Sequence, residues 1–299
     1  MIIAAKSIIG SRDLQDKFNK GAEHVELHLV REDFNQERTL KDKVKVLQQS
    51  NLQVVVVHTP IRQEYNLEGL NTSEGKYIIN KTCELANKMG EIQGGSVHVV
   101  VHAEHNLRQL QDYGMIREID NEIRNILENY KFITLNIENL TMVGYNQGNF
   151  VLRNTHQFST VELCKFLRKE LETERIGTVL DTCHALSTIY SMRDLVNNGI
   201  QNTITLEDYI EVNLPYMNVM HLANSIGYGM GEDHGVPFVT TADVKVLEDV
   251  IEQLLHSGYN RVVTIEMVEE DYLNSVNFER AFKQVRRIED RFRESRRVG

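Results

Sequence analysis

The 299 residues of the chain suit either two ordinary domains or one α/β barrel. A composition of 41% hydrophobic and 25% charged residues excludes global disorder, a collagen-like fibre and a multi-span membrane protein. The formal charge of -10 argues against a broadly basic nucleic-acid-binding surface, although a local groove or bound metal ions can still supply positive charge where a ligand sits.

Short apolar runs recur along the chain with helical segments between them. In order they are residues 2–5 (IIAA), 24–30 (HVELHLV), 54–58 (VVVVH), 96–102 (SVHVVVH), 132–138 (FITLNIE), 177–181 (GTVLD), 217–221 (MNVMH) and 262–266 (VVTIE). Their length and β-branched content predict strands, and their nearly continuous apolar character predicts a parallel sheet covered by helices. Between them, a short helix is expected near 12–20, and longer ones over 74–89, 107–129, 159–170, 242–256 and 274–294. In the 242–256 segment Val244, Leu247, Val250, Ile251, Leu254 and Leu255 fall near one face, and Gly258 follows as a stop. Eight such units predict one (β/α)8 TIM barrel over residues 1–299 with a C-terminal helix; a doubly wound open sheet is the alternative.

Cys83, Cys164 and Cys183 form no CxxC pair, which points to free thiols in a reducing compartment. MIIAAKSIIGSRD is charged too early for a signal segment, and no run approaches the length of a membrane span. A cytoplasmic protein without membrane contact is the expectation. The arginine-rich end, VRRIEDRFRESRRVG, reads as a solvated helix in which Glu289, Asp290 and Glu294 interleave with the basic residues.

The chemistry is concentrated where strands end. His58, His102, Glu138, Asp181, His221 and Glu266 each terminate a predicted strand; His184 follows Asp181 by three residues, and Glu232 and His234 occupy the long loop after the seventh strand. A barrel gathers strand C-termini at one mouth, so these distant residues converge. Five histidines and four carboxylates there would be costly without counter-charge, and divalent metal ions relieve that cost. Nitrogen and oxygen ligands suit Zn2+, Mn2+ or Fe2+. Asp181 and His184, at a change from strand to loop, can face neighbouring ions, whereas Glu232 and His234 can face the same side of an extended segment. Cys183 is expected to pack.

The remaining candidates are weaker. His98 shares a strand face with His102 but lies deeper, as a core histidine or a support for a ligand. His24 and His28 flank Glu26 and are read as structural. Glu104 and His105 fall in a loop at the mouth, and His156 and His256 on the surface. The glycine-rich 227–231 segment (GYGMG) lacks a phosphate-loop lysine and reads as a rim loop. Arg31, Arg62 and Tyr65 are candidates for substrate contact.

On the segments GTVLDTCHA, IEN at 137–139 and HTP at 58–60, the sequence resembles the xylose-isomerase-like barrel superfamily, closest to its endonuclease IV (AP endonuclease family 2) branch. The resemblance spans residues 54–266. It implies up to three Zn2+ ions: one held by His58, His102 and Glu138; a second sharing Glu138 and held by Asp181, His221 and Glu266; a third held by His184, Glu232 and His234. It also implies phosphoester hydrolysis at abasic DNA by metal-activated hydroxide, with Glu138, Glu266 and His184 taking part in catalysis. The sequence departs from the nuclease pattern at Glu232, where that family has Asp, and at His102-Ala103-Glu104, where it has His-Pro-Gly. Sugar isomerases and epimerases of the same superfamily supply the alternative: one divalent ion on Glu138, Asp181, His221 and Glu266, the two glutamates moving protons on a small sugar or phosphorylated substrate. A non-catalytic metal or sugar binder is a third possibility.

Overall fold

Eight parallel strands close on themselves in the computed structural model: β1 (Ile2–Ser7), β2 (His24–His28), β3 (Gln53–His58), β4 (Val97–His102), β5 (Ile133–Glu138), β6 (Ile176–Asp181), β7 (Met217–Leu222) and β8 (Val262–Ile265). Each pairs with its neighbours in sequence, and β8 returns to β1 through Ile2–Val262 and Ala5–Ile265. Closure decides for the barrel over the open sheet. The structure describes the chain apart from residues 36–38, 104–112, 142, 147–148, 153–156, 197–203, 227–233 and 299.

Nine α-helices surround the strands among the described residues: α1 (Ser11–Asn19), α2 (Leu40–Gln49), α3 (Ser73–Gln93), α4 (Tyr113–Asn129), α5 (Gln157–Leu171), α6 (Thr182–Val196), α7 (Leu206–Asn213), α8 (Thr241–His256) and α9 (Val276–Val298). Three of them begin at a Thr-x-x-Asp capping box: Thr39 with Asp42, Thr205 with Asp208, and Thr240 with Asp243. In each the threonine oxygen accepts an orphan N–H of the first turn, and the aspartate accepts the threonine's own N–H. Two short antiparallel ribbons, Val143–Asn146 with Asn149–Leu152 and Asn224–Ser225 with His234–Val236, decorate the loops after β5 and β7.

The strand period of two sorts side chains into two compartments. Val25, Leu27, Val99, Val101, Ile137 and Leu180 face outward and pack against the helices. Inside the barrel, Ala4, Val56, Val100, Val179, Val219 and Val262 form an apolar layer. Two residues further along the same strands stand Lys6, His58, His102, Asp181, His221 and Thr264. The apolar layer is thus the floor on which a polar layer rests, and strand geometry aims every member of that polar layer at one mouth. Beneath the floor, Asn218 Nδ2 donates to Asn136 Oδ1 (2.7 Å) across the position of Gly177, where a Cβ would lie 2.1 Å from Asn218 Nδ2.

Two sequence expectations are corrected. The segment after Asp181 is no loop: α6 starts at once, and Asp181 Oδ1 accepts the N–H of His184 (3.0 Å), so the carboxylate caps the helix that carries His184. Glu289 on α9 is buried rather than solvated and pairs with Arg286 (3.0 Å), while Arg291 and Arg293 remain exposed.

A candidate metal centre at the barrel mouth

Glu138, at the end of β5, is the hub. Its Oε2 lies 2.9 Å from His58 Nε2 and 3.0 Å from His102 Nε2, and its Oε1 lies 3.0 Å from His221 Nδ1. The two carboxylate oxygens therefore face different histidine groups. Among the described residues, three sets of buried donors bring one ligand atom each to within 4.8 Å of one another: His58, His102 and Glu138; Glu138, Asp181 and His221; and Glu26, His58 and His221. Glu266, just past β8, places Oε2 3.0 Å from the same His221 Nδ1.

The donor chemistry fits a cation. His58 Nδ1 donates to the Thr59 carbonyl (2.6 Å), so the Nε2 lone pair faces the Glu138 carboxylate. Burial, followed by the charge of Lys6, holds His58 below the usual histidine range and keeps the ring neutral. Two acceptors opposed at 2.9 Å are unfavourable unless a cation sits between them. Ligands at about 2.1 Å from one ion and at right angles are about 3.0 Å apart, the spacing of these atoms. His58, His102, Glu138, Asp181 and His221 thus form candidate donor groups consistent with a divalent ion, with Glu266 beside them.

Burial opposes ionisation of His221, but Glu26, Glu138 and Glu266 prevail and hold its pKa well above the usual range. Burial likewise opposes charge on Glu138 and Glu266. His221 and His102 win at the first, Lys6 and His221 at the second, so both carboxyls ionise well below their ordinary pKa.

Asn139 fixes the Asp181 arm. Its Oδ1 accepts the Asp181 N–H (2.7 Å), its Nδ2 donates to the Asp181 carbonyl (3.2 Å), and its own carbonyl takes the His184 Nδ1–H (2.7 Å). That tautomer leaves the His184 lone pair on Nε2. Asp181 Oδ2 lies 3.6 Å from His184 Nδ1. Of the set implied for a third ion, His184 is placed beside the cluster, Glu232 lies outside the described residues, and His234 is described only as backbone.

Sequence reading missed two central groups. Glu26, fully buried on β2, accepts from His221 Nε2 (3.0 Å) and from Thr264 Oγ1 (2.7 Å), which fixes the imidazole with Nδ1 toward Glu138 and Glu266. Lys6, at the end of β1, reaches Glu266 Oε1 (2.5 Å) and Glu26 Oε1 (3.6 Å). Burial disfavours its charge, yet Glu266, Glu26 and Glu138 raise its pKa above the ordinary lysine value, so it stays a fixed ammonium. The alternation His24-Val25-Glu26-Leu27-His28 carried the signal for Glu26, since it puts a carboxylate on the inward face with two histidines.

His28 belongs to the mouth rather than to a purely structural layer: its ring centroid is 5.5 Å from that of His58, and burial followed by Lys6 pushes its pKa down to about 3. His98 stays deep in the barrel, where Asn136 Nδ2 approaches its Nδ1 (3.4 Å). Burial, then Arg261, lowers its pKa to about 4. Cys183 is buried and accepts the Gly235 N–H. Tyr65 is buried and donates to Glu74 (2.9 Å), which Arg31 also approaches; Arg62 is exposed. His256 is exposed against Phe292. Glu104, His105, His156 and the glycine-rich 227–231 segment lie outside the described residues.

A family model described as xylose isomerase-like TIM barrel matches residues 19–295. The chain belongs to that family. A search of curated proteins finds no match. Among solved structures, it is similar to a D-psicose 3-epimerase of Clostridium cellulolyticum H10 (12% identity, 96% of this chain and 99% of the other, TM-score 0.60). A 3-keto-D-glucoside 4-epimerase of E. coli is similar over the same shares at 14% identity and TM-score 0.58. An AP endonuclease, family 2, of Brucella melitensis is similar at 16% identity over 93% of this chain and 98% of the other, TM-score 0.58. At these identities the similarity establishes the fold. No helix among the described residues is long and apolar enough to cross a membrane.

Proposed function

We propose that the chain is a divalent-metal-dependent isomerase or epimerase acting on a hydroxy ketone of the sugar class. The observation that carries this reading is the pairing of Glu138 and Glu266, each with one carboxylate oxygen 3.0 Å from the same nitrogen of His221. Two ionised carboxylates about one ligand position suit a reaction that removes a proton from a carbon next to a carbonyl and returns one elsewhere. The similarity to epimerase structures supports the same reading.

Glu138, Asp181, His221 and Glu266 would hold a divalent ion, and such an ion would supply polarisation of the substrate carbonyl that acidifies the adjacent C–H. Glu138 and Glu266 then divide the proton transfers: one takes the carbon-bound proton, leaving an enediolate, and the other delivers a proton to the opposite face or the neighbouring carbon. Lys6 keeps Glu266 ionised and adds a fixed positive charge beside the developing oxyanion. His184, held by Asn139, contacts a substrate hydroxyl.

The test is solvent exchange. Metal-loaded protein incubated with a ketose panel in D2O should incorporate deuterium at the reacting carbon, and Glu138→Gln and Glu266→Gln should each abolish that exchange. Absence of exchange with every ketose at full metal loading overturns the proposal. One observation favours a second reading, phosphoester hydrolysis at abasic DNA: His58 and His102 on the far oxygen of Glu138 make a second ligand group. Nicking of an abasic-site duplex without ketose exchange would establish it instead.

A further inference from the structure

Beside the metal ligands, between the ends of β1, β2 and β8 and the starts of α1 and α9, lies a cavity of about 400 Å³. Polar groups of the centre reach it at one end: Lys6, His28 and Glu266. Its outer walls include Ile8, Ile61, Val268 and Tyr272, which are 43%, 58%, 52% and 53% exposed. Single exposed apolar residues are ordinary on a protein surface, but four of them walling one cavity that opens onto a catalytic centre mark a binding surface.

Two of the other charged groups along the cavity, Glu269 and Lys17, are committed within the protein. Glu269 accepts the N–H groups of Asn277 (2.9 Å) and Phe278 (2.6 Å) at the start of α9, and Lys17 donates to Ser275 Oγ beside Asp13. The cavity therefore has one polar end, shared with the candidate metal ligands, and mostly apolar walls elsewhere, where Asp13 and Lys17 are buried. A fully hydroxylated sugar tail would lose water against those walls without recovering its hydrogen bonds.

We infer that the substrate is amphipathic: a hydroxy ketone whose far end is an alkyl or aryl group lodged between Ile8, Ile61, Val268 and Tyr272. This inference rests on the hydroxy-ketone reading for its polar end, and the experiment separates the two ends. The probes are hydroxyacetone (the polar end alone), acetophenone (the ring without the hydroxyl) and 2-hydroxyacetophenone (both), titrated by calorimetry into metal-loaded and metal-free protein. In an apolar pocket one methylene is worth about 10- to 200-fold, so 2-hydroxyacetophenone should bind the metal-loaded protein at least tenfold more tightly than hydroxyacetone. Acetophenone should bind with or without metal. In an Ile61→Ser/Val268→Ser variant, changed only at positions more than half exposed, the advantage of the ring should vanish while hydroxyacetone affinity and metal content stay unchanged.

Equal affinity for the two hydroxy ketones, or a ring advantage that survives in the variant, overturns the inference. If hydroxyacetone binds without regard to metal while acetophenone binding is lost in the variant, the apolar pocket stands and the hydroxy-ketone reading falls. The reverse pattern retains the reading and removes the pocket.

Discussion

Replacing Glu26 by Gln tests whether the carboxylate that accepts from His221 Nε2 controls the candidate metal centre. Glu26 Oε2 accepts from His221 Nε2 at 3.0 Å, while Oε1 faces Lys6 Nζ at 3.6 Å. Gln keeps the shape and can still accept from His221 through its carbonyl. Its amide NH2 then replaces the oxygen facing Lys6, donor against donor. A hydrogen bond to a charged partner contributes about 1.5–3 kcal/mol. At about 1.4 kcal/mol per factor of ten, that corresponds to roughly 10- to 150-fold in metal affinity, in line with the 10- to 100-fold typical of groups that orient a ligand. Competition for Zn2+ against a chromophoric chelator at fixed pH measures the change, and urea unfolding of the metal-free protein checks the fold. If Glu26→Gln binds metal within threefold of the parent while Asp181→Asn loses it, Glu26 does not position His221.

Lys6→Met leaves the buried carboxylate of Glu26 and the largely buried one of Glu266 without their ammonium partner, and should destabilise metal-free protein by about 3–5 kcal/mol in urea unfolding; a loss below about 1 kcal/mol would contradict the pairing. Asn139→Ala strands the buried N–H of Asp181 and releases His184, so it should cost about 1–3 kcal/mol and weaken metal binding, whereas unchanged affinity would show that Asp181 needs no clamp. Gly177→Ala pushes a methyl into Asn218 and should lower stability by about 1–3 kcal/mol or more, read from the thermal midpoint; a neutral outcome would deny the close contact inside the barrel. His98, whose pKa falls from the usual 6.5 to about 4, gives a pH test. Between those values the unfolded chain binds a proton that the folded barrel does not, so stability is complete above about pH 6.5 and declines toward pH 4 by about 1.4 kcal/mol per unit. In urea titrations His98→Asn should flatten that slope, and an unchanged slope would place the titration elsewhere.

The barrel was legible because its signal repeats. Eight runs with β-branched residues separated by helical periods admit few topologies, and six of the ligand candidates announce themselves by ending such runs. What escaped had a physical cause in each case. Lys6 follows the shortest apolar run and looks like the first solvated residue after it, whereas closure of β1 against β8 draws it over Glu266. Glu26 passes unnoticed between His24 and His28 because its pairing across the barrel, from β2 to His221 on β7, leaves no mark in local spacing. The helical start at Thr182 was hidden because Asp181 is both ligand candidate and cap, and the apolar wall beside Glu266 is assembled from three separate segments.

The two chemical readings separate on charge more than on ligand identity. Within the described centre, Glu26, Glu138, Asp181 and Glu266 oppose the single ammonium of Lys6, and His58 is held neutral. With all histidines neutral, the protein contributes three net negative charges. One divalent ion leaves one of them uncompensated, and two leave a single positive charge. A phosphodiester, itself anionic, would meet repulsion at a one-ion centre and needs at least two ions before attraction begins. A hydroxy ketone is neutral and tolerates either count. Metal stoichiometry in active protein therefore weighs on the substrate without any knowledge of its structure: one ion per active chain favours the neutral hydroxy ketone, and two ions leave solvent deuterium exchange as the measurement that decides.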